Sequence, residues 1–67
     1  MITVQINGQK ETVENDISIK TLLLNRNINP NIVACELNLK VIRRAELDNV
    51  KLKEGDVLEV IRMIGGG

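Results

Sequence analysis

Residues 54–67 read Glu-Gly-Asp-Val-Leu-Glu-Val-Ile-Arg-Met-Ile-Gly-Gly-Gly, an apolar segment that runs straight into three glycines. Lys53-Glu54-Gly55-Asp56 is a turn signal, and Val57 to Ile64 is apolar on both parities except at Glu59 and Arg62. Such a segment, rich in β-branched residues, reads as a central strand. Gly65, Gly66 and Gly67 have no side chain to pack and are the residues most costly to order. They read as a thread that carries a free carboxylate beyond the fold. The expected division is therefore one domain over 1–64 and a flexible glycine tail over 65–67.

At the other end of the chain Ile2, Val4 and Ile6 alternate with Thr3 and Gln5, and Asn7-Gly8 supplies the two positive-φ positions of a tight hairpin turn. Residues 2 to 13 are thus expected to form a β-hairpin with Ile2 opposite Val13. Ser18 is a good helix N-cap, Ile17 before it can staple onto Leu22, and Ile19, Leu22 and Leu23 repeat at helical spacing as far as about Arg26. Asn27 or Asn29 can take the left-handed cap conformation, and Pro30 prevents the helix from continuing. Ile32 to Leu37 returns to strand composition. Asn38-Leu39-Lys40 reads as a turn, Val41-Ile42 as a short strand, and Arg43 to Leu47 as irregular or a single helical turn. The predicted fold class is α+β: a mixed sheet of four or five strands with one main helix packed across one face.

Composition limits what such a domain can do. A chain of 67 residues buries only about 60% of the surface that its unfolded form exposes. Its apolar residues include nine Ile, eight Leu and seven Val, with no Phe, Tyr or Trp. Nine basic and nine acidic residues cancel, so net charge does not attract phosphates and no aromatic ring is present to stack on a base. No nucleic-acid partner is expected. The longest uninterrupted apolar run is four residues, Ile32 to Cys35, far below the roughly 20 that cross a bilayer. No membrane partner is expected either. One cysteine and no secretory pattern at the start fit a cytoplasmic setting.

The catalytic inventory is nearly empty. The chain has no His, no acids spaced as a catalytic dyad or metal cluster, and no glycine-rich loop opening a helix to hold phosphates. It is therefore read as a non-enzyme that binds no metal and no cofactor. Cys35, among Val33, Ala34 and Leu37, reads as a small buried hydrophobe. Arg43-Arg44 reads as solvated charge. By elimination, the carboxylate of Gly67 is the group placed to react, with Gly65 and Gly66 threading it into a partner. Arg62, Met63 and Ile64 lie nearest the tail and are the candidate partner contacts, with a place in the core the alternative for Met63 and Ile64.

A small α+β domain whose last strand runs into Gly-Gly resembles the ubiquitin-like β-grasp proteins. Within them the chain is most similar to the ThiS family of sulfur carriers in thiamine biosynthesis. The resemblance spans the whole length. It rests on Ile2-Thr3-Val4-Gln5-Ile6-Asn7-Gly8, on Ser18 to Leu23, on Val33-Ala34-Cys35-Glu36-Leu37-Asn38, and on Glu54-Gly55-Asp56-Val57-Leu58-Glu59-Val60 leading to Ile64-Gly65-Gly66-Gly67. The family commonly has an aliphatic residue where Cys35 stands, a glycine near Leu39 and a proline near Ile42.

The resemblance implies a carrier whose Gly67 carboxylate is adenylated by a separate ATP-dependent, E1-like enzyme (ThiF). Sulfur from a persulfide donor then displaces AMP to leave a thiocarboxylate, which thiazole synthase (ThiG) receives. ATP is used by the partner and is not held by this chain. Two alternatives share parts of the pattern. One is a carrier with another recipient, such as the small subunit of molybdopterin synthase or a ubiquitin-related modifier. The other is a TGS-like binding module, which needs no terminal glycines and is expected to show the basic or aromatic surface that this sequence lacks.

Overall fold

The hairpin forms with the expected register. In the computed structural model, which describes residues 1–63, β1 (Ile2–Ile6) and β2 (Gln9–Val13) pair antiparallel with Ile2 opposite Val13. Asn7 at φ 49° and Gly8 at φ 85° make the two-residue turn between them, the mirror-image geometry that matches strand twist.

Helix α1 (Ile19–Asn25) starts at Ser18, whose hydroxyl accepts the Thr21 N–H at 3.1 Å. The two N–H groups that Ser18 cannot reach are taken by the loop packed over this end: Ile19 donates to the Val50 carbonyl at 3.1 Å and Lys20 to that of Leu47 at 2.9 Å. The first turn thus leaves none of these donors orphaned. Ile17 and Leu22, the two staple positions, are both buried in the one core cluster. Of the two asparagines that could end the helix, Asn27 takes the left-handed conformation, at φ 59°.

Asn29 does something else. Its side-chain oxygen accepts the Asn31 N–H at 2.9 Å and caps a 3-10 turn, Pro30–Ile32, with proline in its first turn. That turn absorbs Ile32, so strand β3 begins one residue later than expected, at Val33 (Val33–Leu37). Strand β4 covers Lys40–Ile42, and a second 3-10 turn covers Arg44–Glu46. The last strand among the described residues is β5 (Val57–Arg62).

The strands join into a five-stranded sheet in the order β2-β1-β5-β3-β4. Strand β5 lies in the middle, parallel to β1 and antiparallel to β3, as its composition requires. This mixed sheet with one helix across one face is the β-grasp arrangement. The core lies between helix and sheet and includes Val4, Ile6, Ile19, Leu23, Cys35 and Leu58. The opposite face has no cover among the described residues. Here the apolar reading of both parities of the last strand needs correction: Ile61 is 51% and Met63 46% exposed. The first half of β5 is paired on two sides, but only one of its faces meets a core.

Candidate functional site

Strand β5 is fixed at both ends by side chains from turns. At its start the Val57 N–H donates to Asn38 Oδ1 at 2.9 Å. Asn38 Nδ2 donates to Asp56 Oδ1 at 3.0 Å, and the other oxygen of Asp56 accepts the Lys53 N–H at 2.8 Å. Asn38 and Asp56 therefore tie the β3–β4 turn to the turn before β5. Near the exit, the Val60 N–H donates to Asn7 Oδ1 at 2.8 Å. Beyond that point only the β3 side holds the strand, and its final bond runs from the Met63 N–H to the Ile32 carbonyl at 2.8 Å. The Pro30–Ile32 turn that supplies this carbonyl is braced in turn by Arg44, whose Nη2 donates to the Asn31 carbonyl at 3.0 Å.

The candidate partner contacts fall into two sets. Arg62 and Met63 are both exposed at the end of β5, and Met63 is excluded from the core. Ile64, Gly65, Gly66 and Gly67 lie outside the described residues. Of the adjacent arginines, Arg44 has the structural role just given, whereas Arg43 stays exposed.

The open face of the sheet near this exit carries one electrostatic peculiarity. Glu36 on β3 and Glu59 on β5 are direct cross-strand partners, a like-charge opposition that is destabilising in a sheet. The next pair along the same face is Ala34 with Ile61, and Val41 of β4 lies opposite Glu36. The face is thus apolar with a half-buried acidic centre.

Cys35, 1% exposed, lies on the other face inside the core. Burial pushes its thiol pKa up, away from the thiolate form that reacts. Among the described residues no group of three or more metal-ligating side chains is gathered. No helix among them is long and apolar enough to cross a membrane. Sequence reasoning missed the second role of Asn7, the Asn38–Asp56 link and the Glu11–Arg26 ion pair. Each joins residues distant in the chain, so no local spacing announces it. For Asn7 the turn signal was complete without the additional bond.

Comparison with known proteins gives matches over nearly the whole chain. The ThiS family matches residues 3–67. A crystal structure of the thiamine biosynthesis protein ThiS from Geobacter metallireducens superposes with a TM-score of 0.85 at 29% identity, covering 98% of this chain and 100% of that one. Two thiazole synthases are similar, from Paramagnetospirillum magneticum at 31% and from Magnetococcus marinus at 34% identity, over 92% and 96% of this chain. The chain spans only 19% and 20% of their lengths. The uncharacterized protein ycf40 of Pyropia yezoensis is 36% identical over 98% of this chain and 93% of its own.

Proposed function

The chain belongs to the ThiS family, and on that premise we propose that it is a sulfur carrier of thiamine biosynthesis, acting as a protein co-substrate and not as a catalyst. A carboxylate is a poor electrophile, so the reaction begins at a partner. An oxygen of the Gly67 carboxylate attacks the α-phosphorus of ATP in an E1-like adenylating enzyme, and pyrophosphate leaves. The terminal sulfur of a persulfide then attacks the acyl carbon, and AMP leaves with the C–O bond electrons. A thiol of the donor system cleaves the resulting S–S bond, becoming a disulfide itself and leaving a thiocarboxylate on Gly67. That sulfur is the nucleophile delivered to a thiazole synthase.

The observation that carries this reading is the family match over residues 3–67, joined to a sequence that contains no His. The similarity to a fifth of two thiazole synthases favours thiazole formation over a molybdopterin-type recipient. Glycine suits the three tail positions because, lacking Cβ, it fits a narrow channel and leaves its carbonyl open to attack from either side.

Intact-protein mass spectrometry tests the proposal. Incubation with ATP, the adenylating enzyme and a persulfide donor is expected to add the mass difference of sulfur for oxygen, located on the peptide ending in Gly67. An unchanged mass, while the same enzyme modifies an established carrier, overturns the reading.

A further inference from the structure

The pairing of β5 changes halfway along its length. Its neighbour β1 runs beside it only as far as Ile6, which is opposite Leu58, before Asn7-Gly8 turns that chain away into β2. On the other side, β3 stays paired to Arg62. The antiparallel ladder fixes which residues face which neighbour. The Asn38 N–H donates to the Val57 carbonyl and the Met63 N–H to that of Ile32, so the odd-numbered residues from 57 to 63 direct their N–H and C=O towards β3. The even-numbered ones point towards β1. Accordingly the Leu58 carbonyl accepts from the Asn7 N–H at 3.0 Å, and the Val60 N–H is taken by the Asn7 side chain. Past Asn7, the Val60 carbonyl and both backbone groups of Arg62 face the vacated side, and among the described residues none of the three has a protein hydrogen-bond partner.

A cleft lies beside this bare edge. It measures about 340 Å³, opens on the helix side of the sheet, and is floored by Ile6, Leu23, Ile28 and Val60, with the Glu11–Arg26 pair at its rim. It exists because β1 stops while β5 continues.

We propose that the bare edge of β5 at Val60–Arg62 takes an extended segment of the adenylating partner as an added strand, with one apolar side chain of that segment seated in the adjoining cleft. The inference rests on the sulfur-carrier reading above. Exposed backbone donors and acceptors in strand conformation are a template for such pairing. An added strand lies about 4.8 Å from β5, which puts its helix-side side chains next to Val60. The occupant is assigned to the adenylating partner because of what adenylation demands. The carboxylate must arrive at the α-phosphorus at a fixed reach, and a backbone ladder sets both direction and register in the residues leading to it.

Arg62 allows a clean test. Its N–H faces the vacated side, so Arg62→Pro removes a donor that the fold does not use and fills the edge with a ring. Arg62→Ala keeps the donor and removes the side chain. Relative to Arg62→Ala, Arg62→Pro is expected to lower kcat/KM for adenylation by about tenfold or more, with circular dichroism unchanged. Equal rates for the two variants overturn the strand addition and leave the carrier reading standing, as does a loss confined to sulfur transfer to thiazole synthase. If wild-type chain is not adenylated at all, the carrier reading falls and this inference falls with it. Should Arg62→Pro fail to fold, amide hydrogen exchange on the wild type decides. The Arg62 N–H is expected to exchange rapidly in the free chain and to become protected in the complex, while the Ile61 N–H, already facing β3, changes little. An Arg62 amide that stays fast in the complex refutes the proposal.

Discussion

Asn7 Oδ1 accepts the backbone N–H of Val60 at 2.8 Å, which links the turn of the first hairpin to the last strand across 53 positions of sequence. One residue thus serves two purposes. Its φ of 49° lets the β1–β2 turn close, and its side chain continues the β1–β5 ladder by one bond after the backbone of β1 has turned away.

The two roles separate by substitution. Asn7→Gly keeps the positive-φ tolerance but loses the side-chain bond and adds glycine's freedom in the unfolded chain, whereas Asn7→Ala loses the bond and strains the turn. Each effect is worth about 1 kcal/mol, and 1 kcal/mol lowers Tm by about 4–8 °C in a domain of this size. The expected order of thermal stability is wild type, then Asn7→Gly, then Asn7→Ala. Equal melting temperatures for the two variants would show that the strain of alanine in this turn does not exceed the entropy cost of glycine.

Local signals carried most of the fold. Asn7-Gly8 and the alternation around it specified a hairpin and its register, and Ser18 specified the helix start, because each is decided within a few residues. What escaped was decided by distant neighbours. Ile32 looks like strand by composition, yet Asn29 and Pro30 draw it into a 3-10 turn. Ile61 and Met63 look like core, but they lie on a face that neither the helix nor any other described element covers. The candidate site was legible only as far as residue type allowed. Glycines without a packing role point to a reactive end, while the bare edge beside Arg62 follows from where β1 stops, which depends on the pairing of three strands.

Leu39 is held in the left-handed region, at φ 72°, while 89% exposed. It follows Asn38 at φ 52°, so this turn has the same positive-φ pair as Asn7-Gly8 but with a side chain at the second position. Left-handed backbone costs a non-glycine residue about 1–2 kcal/mol, and glycine's extra freedom in the unfolded chain offsets about 0.5–1 of that. Leu39→Gly is therefore expected to stabilise the fold by about 0.5–1 kcal/mol, read as a higher urea midpoint. A lower midpoint would mean that the leucine makes contacts that outweigh its strain.

Glu11 and Arg26 give the acid limb of stability a specific component. The side-chain hydrogen bond from Arg26 holds the Glu11 carboxyl below the ordinary carboxylate range. A depressed folded-state pKa contributes stability that is fully present above the unfolded value, about 4.3, and is lost as pH falls through the folded value. The Arg26 and Glu11 side chains are 34% and 27% exposed, so solvent screening holds the contribution to about 0.5 kcal/mol. Urea titrations at pH 7 should place Glu11→Gln slightly below wild type. The gap should narrow as pH falls below the unfolded value, close below the folded one, and shrink at high salt. A gap independent of pH would assign the difference to packing.

Cys35 and the proposed sulfur on Gly67 should be distinguishable by reactivity alone. The thiol is 1% exposed and burial raises its pKa, which removes both access and the thiolate that alkylating reagents require. A thiocarboxylate is ionised at neutral pH and needs no such activation. Iodoacetamide added to folded, sulfur-loaded protein at pH 7 is therefore expected to label the peptide ending in Gly67 and to leave the Cys35 peptide unmodified until urea is added. Labelling of Cys35 in the folded chain at a rate comparable to that in urea would mean that the sheet opens on the timescale of the reaction. Cys35→Ser, which leaves a hydroxyl where the thiol was buried, should then cost far less than the about 1–3 kcal/mol expected for an unpaired buried polar group. The two measurements thus check one premise from opposite directions: that the only cysteine is a packing residue, and that sulfur chemistry in this protein belongs to the end of the chain.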